Sequence, residues 1–126
     1  MARSYRDLLV WQKAKILAVL VYQLTEQFPK SETYGLTSQI RRSAVSVASN
    51  IAEGQGRLTA GESRHFLGQA RGSLLELETQ IDIACDLNLL DSESQDRLDQ
   101  QCYQVLGLIN RLLESLRSRN LETLKP

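Results

Sequence analysis

The sequence predicts an all-α fold, an antiparallel up-down-up-down four-helix bundle. Three observations carry that expectation. Apolar residues recur at four- and three-residue steps in four separate stretches, the spacing that gathers side chains on one helix face. Short segments bearing Pro, Gly or capping residues separate the stretches. No segment alternates with the period of two that a half-buried strand needs, and no internal repeat or low-complexity run competes.

The first helix is expected over residues 7–27, with Val10, Ala14, Leu17, Val21, Leu24 and Phe28 as its stripe. Pro29 cannot continue it, and residues 30–35 form a connector. The second, over residues 36–53, has Leu36, Ile40, Ala44, Val47 and Ile51, and Gly54 and Gly56 supply backbone freedom to end it. Thr59 and Glu62 make a capping box for the third, over residues 60–87, whose stripe is Leu67, Ala70, Leu74, Leu77, Ile81 and Ala84. Asn88 suits a left-handed cap. Ser92 with Gln95 repeats the capping-box pattern for the fourth, over residues 92–118, with Leu98, Cys102, Val105, Ile109, Leu112 and Leu116, and the tail beyond Arg119 is expected to fray.

A chain of 126 residues is expected to be a single domain, 1–126, able to bury a core without metal or disulfide. Fifteen basic residues balance fifteen acidic ones, which argues against an indiscriminate nucleic-acid coat. The balance is uneven along the chain. Arg3, Arg6, Lys13, Lys15 and Lys30 sit among few acids, whereas the segment from Glu76 to Asp96 is strongly acidic. Cys85 and Cys102 lack a CxxC spacing and read as buried free thiols of a reducing compartment. The N-terminus lacks the features of a signal peptide, and the apolar run from Ile16 to Tyr22 is too short to span a bilayer. A cytoplasmic protein without a membrane partner is expected.

Catalytic and metal chemistry find little support. Glu62 and His65 have the Glu-x-x-His spacing of di-iron bundles, but such a site needs two such pairs and the chain has one His. Gly54-Gln55-Gly56 lacks the following GK[ST] and preceding strand of a phosphate loop, and no G-x-S-x-G elbow is present. No cofactor, metal or catalytic residue is predicted. Trp11 and Tyr22 read as core or interface residues.

The second helix is unusual. It has no Lys, and its charges are Arg41, Arg42 and Glu53. Most other positions are small, including Ser43, Ala44, Ser46, Ala48, Ser49 and Ala52. A further stripe of Gln39, Ser43, Ser46, Asn50 and Glu53 runs behind the apolar one. So thin a helix lets other backbones approach on several sides. The facing part of the third helix is similar, with Gly68, Gly72 and Ser73 before Glu76, and a hairpin centred near Gly56 brings Glu76 within reach of Arg42. Two readings stay open: a polar network of Gln39, Arg41, Arg42, Asn50, Glu53 and Glu76 within or between subunits, or phosphate binding by Arg41 and Arg42.

The run from Tyr34 to Gly54, YGLTSQIRRSAVSVASNIAEG, resembles a known bacterial family. So do Asp7-Leu-Leu-Val-Trp-Gln12, Phe28-Pro29 and Gly72-Ser-Leu-Leu-Glu-Leu-Glu-Thr79. The family is that of four-helix-bundle proteins from intervening sequences in large-subunit ribosomal RNA genes, to which the accessory variability determinant of diversity-generating retroelements is related. The resemblance covers the first three helices and the short Asn88-Leu89-Leu90 turn, and it implies a ring-shaped homopentamer. It marks Gln39, Arg41, Arg42, Asn50, Glu53, Gly54, Gly72 and Glu76 as assembly residues and implies no catalytic role. Two functions follow. One is a non-enzymatic homo-oligomeric scaffold in contact with RNA. The alternative is an accessory protein that binds RNA or hybrid duplex together with a reverse transcriptase. It would use Arg3, Arg6, Lys13 and Lys15 with Arg57, Arg64 and Arg71, although the neutral net charge departs from the basic retroelement relative.

Overall fold

A computed structural model of the chain describes the backbone of residues 4–124 and the side chains of residues 4–117. Four α-helices follow one another: α1 (Leu9–Thr25), α2 (Leu36–Gln55), α3 (Ala60–Asp86) and α4 (Ser92–Leu124). Single 3-10 turns at Tyr5–Asp7 and Lys30–Glu32 precede α1 and α2, and no strand occurs among the described residues. α1 packs on α2, α2 on α3, α3 on α4 and α4 on α1, and among the described residues the backbones of the diagonal pairs stay farther apart. Among the described residues, no helix is long and apolar enough to cross a membrane.

The interior is the sum of the four stripes. On α3 the buried residues are Leu67, Ala70, Leu74, Leu77, Ile81 and Ala84, every one on the four-three spacing. Leu17, Leu74, Leu77, Ile81 and Ile109 are wholly enclosed. Burial of each such side chain contributes roughly 1.5–3 kcal/mol. α2 differs in kind. Beside Ile40, Ala44, Val47 and Ile51 it buries Thr37, Ser43 and Gly54, so its enclosed arc is wider than its apolar stripe.

The ends of the helices are set by particular hydrogen bonds. α1 begins at Leu9 because Ser4 Oγ accepts from the Arg6 amide at 3.2 Å, closing the Tyr5–Asp7 turn, and Leu8 is extended. α1 ends at Thr25, whose hydroxyl donates to the Val21 carbonyl at 2.8 Å. Thr59 Oγ1 accepts from the Glu62 amide at 3.1 Å and opens α3. Asn88, at φ 62°, closes α3 in a Schellman arrangement, with Leu89 N–H donating to the Ala84 carbonyl at 2.8 Å and Asn88 N–H to Cys85 at 2.9 Å. The cap of α4 is Asp91 and not Ser92, which is already helical: Asp91 Oδ1 accepts from the Ser94 amide at 2.7 Å. α4 continues to Leu124, past the expected end of regular structure.

Gly54 lies inside α2, and no glycine among the described residues has positive φ. Backbone freedom is therefore not its role. A Cβ there would stand 3.2 Å from the Ser63 carbonyl oxygen and 3.4 Å from Phe66 Cβ. The missing side chain lets α2 and α3 close on each other, and Ser63 Oγ donates to the Gly54 carbonyl at 2.8 Å.

Candidate functional site

The small side chains of α2 leave depressions on both of its flanks. Toward α3, Gln39, Arg42, Ser46, Ser73, Glu76 and Gln80 line a polar recess of about 350 Å³. The hydroxyls of Ser46 and Ser73 meet across the two helices at 2.8 Å. Asn50 Nδ2 donates to Ser46 O and Ser46 Oγ, both at 3.0 Å, and fixes that hydroxyl. Gln80 Oε1 is buried without a partner. Arg42 and Glu76 share the recess yet form no ion pair with each other.

Arg41 faces the other way, toward α1. Its Nε donates to Thr25 Oγ1 at 2.9 Å, its Nη2 to the Tyr22 carbonyl at 3.4 Å, and its guanidinium lies 4.6 Å from the centre of the Tyr22 ring. Three contacts fix it in one orientation. At the far end of α2, Glu53 pairs with Arg57, whose guanidinium lies 4.2 Å from the Phe66 ring centre. Among the eight residues marked for assembly, the structure thus gathers Gln39, Arg42 and Glu76, with Asn50 beside them through Ser46. Glu53 and Gly54 belong to the α2–α3 corner. Gly72 faces open space, with nothing within 4 Å of a Cβ placed on it.

Between α1 and α2 lies an apolar groove of about 540 Å³, lined by Trp11, Val19, Tyr22, Val45, Ala48 and Ala52. Val19 is 49% exposed, Tyr22 44% and Val45 43%; Ile16 is further exposed apolar surface on α1. Ala48 and Ala52 are what make it a groove, since longer side chains would fill it.

The expected nucleic-acid contacts do not share one patch. Arg6 lies 4.7 Å from the Tyr5 ring centre and Lys15 5.5 Å from that of Trp11, bordering the groove. Lys13 donates to Gln104 Oε1 at 3.2 Å and Arg71 to Asn110 Oδ1 at 3.1 Å, both toward α4. Arg57 and Arg64 belong to the α2–α3 corner, with Arg64 Nε buried and unbonded. Arg3 lies outside the described residues.

A third depression, about 430 Å³, opens where α1 ends and α2 begins. Lys30, Tyr34, Thr37, Ser38, Arg41 and Arg42 contribute to it. Sequence reasoning passed over Thr37, Ser38 and Tyr34 here. The available signal was Thr37 itself, a hydroxyl one residue into a helix at a position that the fold buries.

These surfaces sit on a fold that can be compared directly. The profile of the 23S rRNA-intervening sequence proteins matches residues 6–111. The chain belongs to that family. Among solved structures, this intervening-sequence protein resembles a protein of unknown function from the S23 ribosomal protein family of Bacteroides thetaiotaomicron. The TM-score is 0.76 at 18% identity, covering 83% of this chain and 98% of that one. No curated protein matches.

The α3–α4 side of this intervening-sequence protein has the opposite character. Burial, and then the charges of Asp99 and Asp82, push the Glu78 carboxyl above its ordinary range. Burial, Asp82 and Asp96 do the same to Asp99. Cys102, enclosed nearby, is pushed up to about 12 by burial and by the charges of Glu78 and Asp99. Burial and the surrounding aspartates also raise the Cys85 thiol. Gln95 Nε2 relieves part of this crowding by donating to Asp82 Oδ1 at 3.2 Å. Among the described residues no group of three or more His, Cys, Asp or Glu is placed to hold a metal ion.

Proposed function

We propose that this intervening-sequence protein is a non-enzymatic, homo-oligomeric scaffold: an antiparallel up-down-up-down bundle that assembles into a ring, with five copies as the expected number. The pairings Ser46 with Ser73, Gly54 with Ser63, Asp82 with Gln95 and Arg71 with Asn110 support the alternating direction of α2, α3 and α4. The observation that carries the assembly is the groove between α1 and α2. Its Trp11, Val19, Tyr22 and Val45 form a contiguous apolar strip bordered by small residues, the kind of surface that marks a protein contact. The unpaired Arg42 and Glu76 and the bare backbone at Gly72 support a further contact along α2 and α3.

Contact with RNA is the second part of the reading. Among the described residues, Arg6, Lys13, Lys15 and Arg71 contact rings and amides and form no ion pair with their neighbours. Repetition around a ring multiplies such scattered cations through avidity.

Light scattering on the eluting protein tests the assembly. The expected mass is five times the 14.2 kDa of the chain, and a monomer at micromolar concentration defeats the proposal. RNA retardation that weakens steeply with added salt is expected for the second part. Absence of retardation at low salt removes it.

A further inference from the structure

We infer that the recess between α2 and α3 binds a free α-amino acid, with Arg42 taking its carboxylate and Glu76 its ammonium group. One end of the recess is fully bonded, where Asn50, Ser46 and Ser73 form a chain of hydrogen bonds. The other end is not. Gln39, Arg42, Ser43, Glu76 and Gln80 line it, and none of these side chains has a polar partner among the described residues.

The register of the two helices makes that lack of bonds informative. Counting along the antiparallel pair from the Ser46–Ser73 contact, Ser43 comes opposite Glu76 and Gln39 opposite Gln80. Two amides thus face each other, and an arginine and a carboxylate share the space, yet neither pair closes. Two of the unbonded residues are enclosed. Gln80 Oε1 is buried without a donor, and Ser43 is only 6% exposed. Both lie off the apolar stripes. Gln80 continues the row of Ser73 and Glu76 on α3, Ser43 stands between Gln39 and Ser46 on α2, and the two border the recess from opposite walls. Buried polar groups are normally bonded, so two orphans on facing walls of one recess point to a missing occupant.

The unmet bonds define the ligand. Arg42, the Ser43 hydroxyl and the Gln39 amide are donors suited to a carboxylate. One hydroxyl hydrogen of the Ser46–Ser73 pair is also left over, whichever oxygen donates. Gln80 Oε1 and the Glu76 carboxylate are acceptors suited to an ammonium group. A phosphate answers only the donors and is repelled by Glu76. A simple amine answers only the acceptors and is repelled by Arg42. A zwitterion with both charges on one carbon answers both sets. The volume of about 350 Å³ lies at the small end of the roughly 300–1,000 Å³ range of ligand sites. The site does not rest on the ring or on the RNA reading, because one protomer supplies its whole lining.

Calorimetric titration of the full chain with L-alanine, propionate and ethylamine tests the inference, because the last two each keep one charge of the first. Amide shifts in an ¹⁵N spectrum locate the binding. L-alanine is expected to bind at least about tenfold more tightly than either half, shifting Ser43, Ser73 and Gln80. Arg42→Gln and Glu76→Gln replace exposed side chains, so the fold persists. Each should weaken L-alanine binding about fivefold or more, since each removes a hydrogen bond to a charged group. The half-molecules give a readout that a structural role would not move. Arg42→Gln should bind ethylamine at least as well as the parent chain, and Glu76→Gln should do so for propionate. Equal affinity for L-alanine and its halves overturns the inference. So does unchanged affinity in both variants, or no binding of L-alanine at tens of millimolar. Light scattering on the same samples keeps the two ideas apart: a monomer that binds L-alanine refutes only the ring, and an oligomer that ignores it refutes only the site.

Discussion

The α1–α2 side and the α3–α4 side of this molecule solve their surfaces differently. On the first, Val19, Tyr22 and Val45 are exposed beside alanines, and Arg6 and Lys15 lie over aromatic rings without a carboxylate. On the second, burial and then the charges of neighbouring aspartates push the carboxyls of Glu78 and Asp99 above their ordinary range. Both sides share one core, so the contrast does not come from folding. It comes from what each side leaves uncompensated: apolar area with positive charge on one, negative charge on the other. A head-to-tail ring brings unlike surfaces of successive copies together, and this distribution suits that closure better than a two-fold dimer.

The largest expected effect breaks the first side. Val45→Glu puts a carboxylate into the α1–α2 groove, where desolvation without a partner is costly. We expect the proposed ring to give way to a folded monomer, with helical circular dichroism intact and the mass by light scattering falling about fivefold from that of five copies. A variant that stays assembled would show that the groove faces solvent in the oligomer.

A pair of alanine substitutions sharpens the contrast between closed and open parts of the surface. Gly54→Ala pushes a methyl against the Ser63 carbonyl, a backbone atom that cannot swing away, and overpacking of this sort costs about 1–3 kcal/mol. Gly72→Ala meets nothing within 4 Å in the protomer. It gains up to about 1 kcal/mol of helix propensity, unless a neighbouring copy occupies that space. Denaturant unfolding measures the first effect. For the second, unfolding and mass together decide: greater stability with loss of assembly would locate a subunit contact at Gly72.

The smallest effect concerns the acidic side. Because the folded-state pKa values of Glu78 and Asp99 are raised, the folded chain holds more protons than the unfolded one between the two sets of values. Stability from this source is full below the unfolded pKa values, near about 4, and declines as pH rises through the raised ones. Moving from pH 7 toward about 4.5 should therefore stabilise the chain through these groups, by less than about 1 kcal/mol given their partial exposure. Asp99→Asn should flatten that part of the pH profile in thermal melts. An unchanged profile would show that the crowding is relieved in solution.

Much of the fold was legible because helix periodicity is a local property. Every buried residue of α3 follows from its spacing in the sequence. The Asn88 cap was legible too, since few residues other than Gly tolerate that backbone. The start of α4 was not. Asp91 and Ser92 are both good caps, and only the direction of the Asp91 carboxylate toward the Ser94 amide separates them. Gly54 was read as a helix terminator because Gly ends helices often, whereas its actual role depends on how closely α3 passes. The surface was harder still. Composition showed that α2 is thin, but the docking of Arg41 on the α1 flank depends on Thr25 and Tyr22, sixteen and nineteen residues earlier in the chain. The unbonded hydroxyl of Thr37 is invisible until its neighbours have been placed.

The two native thiols leave the chain chemically quiet. Alkylating reagents attack thiolates, and the environments of Cys85 and Cys102 both favour the protonated form. A reporter cysteine placed on an exposed surface site would therefore outcompete them near neutral pH. Fluorescent or spin labels can then follow subunit arrangement without first stripping the native sulfur from the core.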